Sequence, residues 1–366
     1  MSCIAVKTGE EQRLSLFRGV RIMFLKCFGP TNSCNTGRSS GKGYPTVIEE
    51  LCHPFSLADL KKATNNFHSS RLIAFDGYAF RYKGYLQHDD SSHYPVLLKR
   101  FTATSISEEQ FKTEIELLCQ LRHPNIISVI GFCNTKREKI IVYEDVPNGS
   151  LQQGLPTLSW KKRLEICIGA ARGLHYLHAG AKRTIVHRDI KPSSILLDGT
   201  MHPKLMDFGF CVLGANFMSK PKPIQVEYAV GGFGYLAPEH MIRNTTTTTV
   251  TDKSDVYSFG VVLLRAVLEK RFSTQYEGQI NVEENIDENI KGKIAPQCWQ
   301  VFMDITQRCI KIEPDERPTM GEVEVELEHA LSLQEQADIS NTDGHYILLS
   351  ETIVDRSLER TLWDQM

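Results

Sequence analysis

The sequence predicts an α+β protein of two lobes, a small β-rich lobe with one main helix and a larger α-helical lobe. Three observations lead there. Short runs of β character crowd the stretch from Leu72 to Val146, interrupted by a single helical pattern. Beyond the turn-forming Pro147-Asn148-Gly149 the apolar spacing becomes helical. And 366 residues with 41% apolar content suffice for one large or two medium domains with a sizeable core.

Residues 1–50 read differently from the rest. From Gln12 to Ile48 there are six basic residues, Arg13, Arg18, Arg21, Lys26, Arg38 and Lys42, and no acid, around the apolar patch LFRGVRIMFLKCF. Three readings stay open: an inner-leaflet anchor with Cys27 or Cys34 as acylation candidates, a solvated flexible tail, and an organelle transit peptide. Elsewhere composition excludes more than it assigns. The balance of 42 basic to 44 acidic residues argues against nucleic acid as the main partner. Ten cysteines scattered singly, without the paired spacing of a zinc site, point to a reducing compartment. No apolar run approaches the roughly 18 residues a membrane span needs, so membrane contact is expected to be peripheral.

The ordered part begins near residue 51. Residues 51–70 carry a short helix, SLADLKKATNNF, with Asn65-Asn66 as its stop. Residues 71–147 form the small lobe. Its strands are LIAFDGYAFRYKGYL, YPVLLKRF, IISVIGFC and KIIVYEDV. Between the second and third, Ser107 and Gln110 make a capping-box pair before a helix with the apolar stripe Phe111, Ile115 and Leu118. Glu114 falls at the edge of that stripe and Glu116 points away, so a cation is expected where Glu114 faces the core. Residues 148–335 supply the helical lobe, first through Leu164, Ile168, Ala171 and Leu174, later through Val256, Phe259, Val262, Leu263 and Ala266. Residues 336–366 carry no motif and are expected to form a largely flexible tail. A ligand cleft is expected between the lobes.

Residues with chemistry gather around that expected junction. VHRDIKPSSILLD, KLMDFGF, GYLAPEH, TDKSDVYSFGVVLL and DERPTM follow one another in the order and spacing of the protein kinase domain, which the chain resembles over about 280 residues. FSLADLKKATNNF, LLCQLRHPNIISVIGFC, VYEDVPNGSL and LSWKKRLEICIGAARGLHYLH narrow the resemblance to plant receptor-like kinases of the FERONIA type and their Pto-like cytoplasmic relatives. The fold so implied is the two-lobed protein kinase-like one.

The resemblance implies roles residue by residue. Lys99 would hold the α and β phosphates of ATP, with Glu114 as its ion-pair partner. Asp189 would accept the proton of the substrate hydroxyl, Lys191 would neutralise the γ-phosphate, and Asp207 would ligate magnesium. Tyr143 matches the residue beside the adenine pocket, and Glu144 to Val146 the connector whose backbone pairs with adenine. Glu239 with Arg317, and Asp255 with the backbone around Arg188, are expected to be structural ties. Arg188 would receive a phosphate from the segment between Asp207 and Glu239, where Ser219 is the only Ser or Thr.

Six positions depart from the pattern. Ala74, Asp76 and Ala79 stand where a phosphate-covering loop has glycines, with Gly77 at a variable place. Glycine serves there because backbone amides must approach phosphate without a Cβ in the way. Arg81 and Leu97 stand at the valine and alanine that flank adenine. Ser194 replaces an asparagine that ligates a second magnesium, a loss worth about 3 kcal/mol or a hundredfold in rate if it acts as one preorganised electrostatic group. Gly232 also stands where a threonine is usual. The cofactors the resemblance implies are ATP and magnesium, held weakly or not at all. Two functions stay open: a weak Ser/Thr protein kinase, or a pseudokinase that acts as scaffold, decoy or allosteric partner of an active kinase or immune receptor. The implied partners are a protein substrate, a partner kinase or a receptor. The implied setting is plant signalling in the cytoplasm, with attachment to the inner face of the plasma membrane if Cys27 or Cys34 is acylated.

Overall fold

The computed structural model describes residues 51–87, 93–102, 106–216, 222–232, 234–241, 248–269, 279–341 and 343–356. Cys27, Cys34 and Ser219 lie outside these residues. Contacts divide the chain into two compact units, the first up to Ser107 plus Ser128–Asp145, the second Glu108–Ile127 plus Val146 onward.

The described part of the first unit is a six-stranded sheet under one short helix, α1 (Leu57–Ala63). The strands are β1 (His53–Pro54), β2 (Leu72–Phe75), β3 (Ala79–Gln87), β4 (His93–Phe101), β5 (Val129–Asn134) and β6 (Lys139–Glu144), in the order β1-β5-β6-β4-β3-β2. Alternation sorts the side chains. Tyr82 and Leu86, Val96 and Leu98, and Ile140 and Val142 share a core with Leu60 and Ala63 of α1. The residues between them, Arg81, Leu97, Lys99, Ile141 and Tyr143, therefore belong to the other face. Ser56 caps α1 by accepting the Asp59 amide at 3.1 Å. The helix stops where expected, because Asn65, Asn66 and Phe67 turn left-handed at φ 51, 56 and 53°.

In the second unit α2 (Glu108–Gln120) packs on the 3₁₀ turn Phe208–Phe210. Then come α3 (Leu151–Gly154), α4 (Trp160–His175), α5 (Asp252–Val267), α6 (Pro296–Cys309) and α7 (Met320–Ser340). Helices α4 and α6 both pack on α7, and α5 packs on α6. Trp160 of α4 donates its indole N–H to Gln334 of α7 at 3.0 Å and meets Phe302 of α6 edge-on. Short antiparallel pairs decorate this core: β7 (Arg183–Val186) with β10 (Val212–Asn216), β8 (Ile195–Leu197) with β9 (Pro203–Leu205), and β11 (Ile224–Val226) with β12 (Thr248–Val250). Described cysteines are free and buried, and burial pushes the thiols of Cys167 and Cys309 up to about 12, so they stay protonated.

Within residues 336–366, expected to form a largely flexible tail, the described stretches 336–341 and 343–356 contain regular structure. Helix α7 continues to Ser340, and β14 (Ile353–Asp355) pairs antiparallel with β13 (Gln279–Asn281). Val354 and Ile280, opposite each other in that pair, are both buried. Three residues are too short to show a period, which is why the strand is invisible in the sequence.

Candidate functional site

In the first unit the glycine-poor stretch is a closed turn. Gly77 takes φ +91°, the one residue between β2 and β3 that needs a left-handed backbone, so a single glycine is enough for the chain reversal. The Asp76 amide bonds the Ala79 carbonyl at 3.3 Å. Its carboxylate turns inward: Oδ1 accepts the amides of Tyr78 (3.3 Å) and Ala79 (2.9 Å). Oδ2 accepts Nη2 of Arg81 at 3.0 Å, both side chains being largely shielded from solvent. A carboxylate therefore sits on backbone amides of the kind that bind phosphate in a glycine-rich loop.

Arg81 and Lys99 are direct cross-strand partners in the β3–β4 register. Both are buried. Like charges opposite one another are unfavourable, and Asp76 offsets the pair. The Lys99 ammonium lies 4.8 Å from the Phe101 ring centre and 5.5 Å from that of Tyr78, whose ring is roughly parallel to Phe101. Leu97 faces Tyr143 across β4 and β6, and both are buried. Glu144 is fixed by its Oε1, which accepts the Ser128 amide at 2.9 Å. Ala74 pairs with Arg81 in the β2–β3 register.

In the second unit Asp189, Lys191 and Ser194 come together. Lys191 Nζ donates to both carboxylate oxygens of Asp189, at 2.9 and 2.7 Å. Burial raises the Asp189 carboxyl above the usual range, and the Lys191 charge offsets only part of that. The Ser194 hydroxyl donates to the Lys191 carbonyl at 2.8 Å and accepts the Lys191 amide at 3.1 Å. It is fully buried and committed to the turn. Asp207 is buried with φ +74° immediately before the Phe208–Phe210 turn, and Arg188 shares that left-handed conformation at φ +71°. Glu114 is fully buried on α2, as its place beside the apolar stripe predicts, and Glu116 is half-buried. Val146 is buried, its carbonyl accepting the Gly149 amide in the following turn.

The expected structural ties are present. Asp255 accepts the amides of His187 (2.7 Å) and Arg188 (2.8 Å) and bonds His178 at 2.9 Å. Burial alone would push its carboxyl up, but the His178 hydrogen bond and charge prevail and hold it below the usual range. Arg317 grips Glu239 with both terminal nitrogens, at 2.8 and 2.7 Å, beneath the Tyr257 ring. Arg188, expected to await a phosphate, instead bonds two backbone carbonyls of that segment, Phe210 at 3.2 Å and Tyr228 at 2.6 Å. The segment is thus tied down by an arginine without a modification.

One residue near the site escapes the sequence: Tyr78, whose ring centre lies 5.5 Å from the Lys99 ammonium, has no motif to announce it. The pairing of Asp76 with Arg81 escapes it too, although their five-residue spacing across a hairpin could suggest a pair. Gly232 matters by what it lacks: a Cβ there would stand 3.2 Å from Lys191 Cδ and 4.0 Å from Asp189 Oδ1, so a hydroxyl side chain would have been within reach of both. Among the described residues no group of three or more His, Cys, Asp or Glu could hold a metal by itself, and no helix is long and apolar enough to cross a membrane.

The family model for protein tyrosine and serine/threonine kinases matches residues 76–327. The chain is 39% identical over 339 residues to the receptor-like protein kinase FERONIA of Arabidopsis thaliana, covering 86% of this chain and 36% of FERONIA. To ANXUR2 of the same plant it is 40% identical over 84% of this chain and 37% of the relative. To HERK 1 it is 37% identical over 81% and 37%. The chain thus spans little more than a third of the length of these relatives.

Proposed function

Because the chain belongs to the protein tyrosine and serine/threonine kinase family, and its relatives are plant receptor-like protein kinases, we propose that it is a signalling protein whose phosphoryl transfer is sharply reduced. The observation that carries this reading is the Asp76 carboxylate, which occupies the amides of Tyr78 and Ala79 and the guanidinium of Arg81. A nucleotide phosphate has to displace an anion that the chain carries itself.

The donor set fits the family's cofactors only in part. Magnesium is commonly held by one or two carboxylates together with substrate phosphates and water, and Asp207 suits one such ion. Ser194 does not suit a second, since its hydroxyl is spent on the Lys191 backbone. Lys99 would hold phosphate from β4. Magnesium-bound ATP, when present, supplies the phosphoryl group. Asp189 then takes the substrate hydroxyl's proton, its raised pKa favouring that acceptance, and Lys191 keeps the carboxylate oriented.

A second reading, a binding module without catalysis, is favoured by the contrast between the altered loop and the retained ties Glu239–Arg317 and Asp255–Arg188, which serve the fold rather than the reaction. Its partner would be an active kinase or a receptor. Thermal melting with millimolar magnesium-ATP separates the two. A rise that disappears in Lys99→Met supports a nucleotide-binding, weak kinase, whereas an unchanged melt in both supports the binding module.

Peripheral attachment to the inner face of a membrane through Cys27 or Cys34 belongs to the same proposal, supported by the acid-free basic stretch around them. Replacing both by serine should move the protein from the membrane to the soluble fraction. Undiminished membrane association removes acylation from the account.

A further inference from the structure

Residues 343–356 run back over the second unit as a strap whose fastening is chemically specific. One carboxylate holds its middle. Glu283 accepts the Ser350 hydroxyl (2.9 Å), the Thr352 hydroxyl (2.7 Å), the Thr352 amide (2.7 Å) and the Trp299 indole N–H (2.8 Å). The Val282 amide returns a bond to the Thr352 carbonyl at 2.9 Å, and from there β14 pairs with β13. At its end Arg356, buried, donates Nη2 to the Gly234 carbonyl at 2.6 Å. Gly234 lies in GYLAPEH, five residues before Glu239, in the segment that Arg188 also holds at Tyr228.

Glu283 is ionised at neutral pH. Burial would raise its pKa, but the Trp299 and Thr352 hydrogen bonds outweigh that and lower it. Two hydroxyl donors on one carboxylate form a contact that depends on both remaining hydroxyls. Ser350 is exposed and Thr352 half-buried, so the first is directly accessible to a modifying enzyme.

We propose that Ser350 and Thr352 are phosphorylation sites, and that modifying them releases the strap from β13 and from Gly234. The modifying enzyme is an ATP-dependent protein kinase, this chain or another. The hydroxyl oxygen bonds to the γ-phosphorus, the bond from that phosphorus to the β-bridging oxygen breaks, ADP leaves, and the hydroxyl proton passes to the enzyme's base. The product carries about −1.5 to −2 charges and offers acceptors where Glu283 had a donor. Repulsion between the phosphate and the carboxylate opens the Ser350–Thr352 contact first. Release then exposes the β13 edge and removes the arginine from the Gly234 carbonyl. Nothing in this proposal depends on whether the chain itself transfers phosphate.

Amide hydrogen exchange on the full chain carrying phosphoserine at 350 tests it. The expected result is about tenfold or more faster exchange across residues 279–282, with α4 unchanged as the control for an intact fold. Glu283→Lys alone should also speed exchange there, because four donors then face a cation. In the phosphorylated chain the same substitution should bring exchange back to within about threefold of the unmodified protein, the phosphate pairing with the lysine. Exchange at residues 279–282 that is unaltered by phosphoserine, or that phosphoserine speeds equally with glutamate or lysine at 283, overturns the proposal.

Discussion

Glu239→Ala is expected to melt roughly 6–12 °C below the unaltered protein, taking a loss of about 3 kcal/mol at roughly 2–4 °C per kcal/mol. The size follows from what is left behind. Arg317 is fully shielded, and with Glu239 gone its guanidinium keeps backbone carbonyls of Lys311, Ile312 and Lys253 but no counter-charge. The partial exposure of the Glu239 side chain places the loss at the low end of the range for a broken buried pair. Replacing both members, Glu239→Leu with Arg317→Met, should recover much of the loss, since two apolar groups leave no buried charge. Differential scanning calorimetry of the three proteins decides it, and a Glu239→Ala melt within 2 °C or so of the unaltered chain would show the pair to be stabilised mainly by solvent. The sign with pH is fixed. Burial pushes the Glu239 carboxyl up, Arg317 outweighs it, and the folded pKa lies below the ordinary value. Its contribution is fully present above about pH 4.3 and is lost as pH falls through the folded value, so the variants should converge in acid.

Asp76→Gly is expected to bind magnesium-ATP about tenfold more tightly than the unaltered chain. Two amides and one guanidinium lose an internal anion, and hydrogen bonds to charged groups are worth roughly 1.5–3 kcal/mol each, of which some is lost to a looser turn. Arg81 then stands beside Lys99 without its carboxylate, so two cations on neighbouring strands can share a phosphate. Adding Arg81→Val should give back part of the gain. Isothermal titration reads both steps, and equal affinities for the unaltered chain and Asp76→Gly would mean that the self-occupied turn is not what limits binding.

Much of the architecture was legible because it rests on periodicity and on local rules. The stop of α1 at Asn65-Asn66, the inward Glu114 and the alternation that puts Tyr82 and Lys99 on opposite faces follow from residue types and spacing alone. Glu239–Arg317 and Asp255–Arg188 were legible for another reason, since the motifs that hold them mark the family. Contacts between residues distant in sequence and without periodicity were not legible. Arg356 reaches Gly234 over 122 positions, and Glu283 meets Thr352 over 69. The turn between β2 and β3 falls between these cases: its missing glycines were visible, but that the Asp76 carboxylate accepts the amides of Tyr78 and Ala79 is a matter of geometry.

The chain keeps the fold of a protein kinase, and we propose that its own Asp76 carboxylate competes with nucleotide phosphate for the turn between β2 and β3. Radiolabelled phosphoryl transfer from magnesium-ATP, to the chain itself and to a generic basic protein substrate, tests it most directly when the unaltered chain, Asp76→Gly and Asp207→Asn are compared. Incorporation by the unaltered chain should stay close to the Asp207→Asn baseline, and that by Asp76→Gly should rise above it. Transfer by the unaltered chain far above that baseline and unchanged by Asp76→Gly would contradict it.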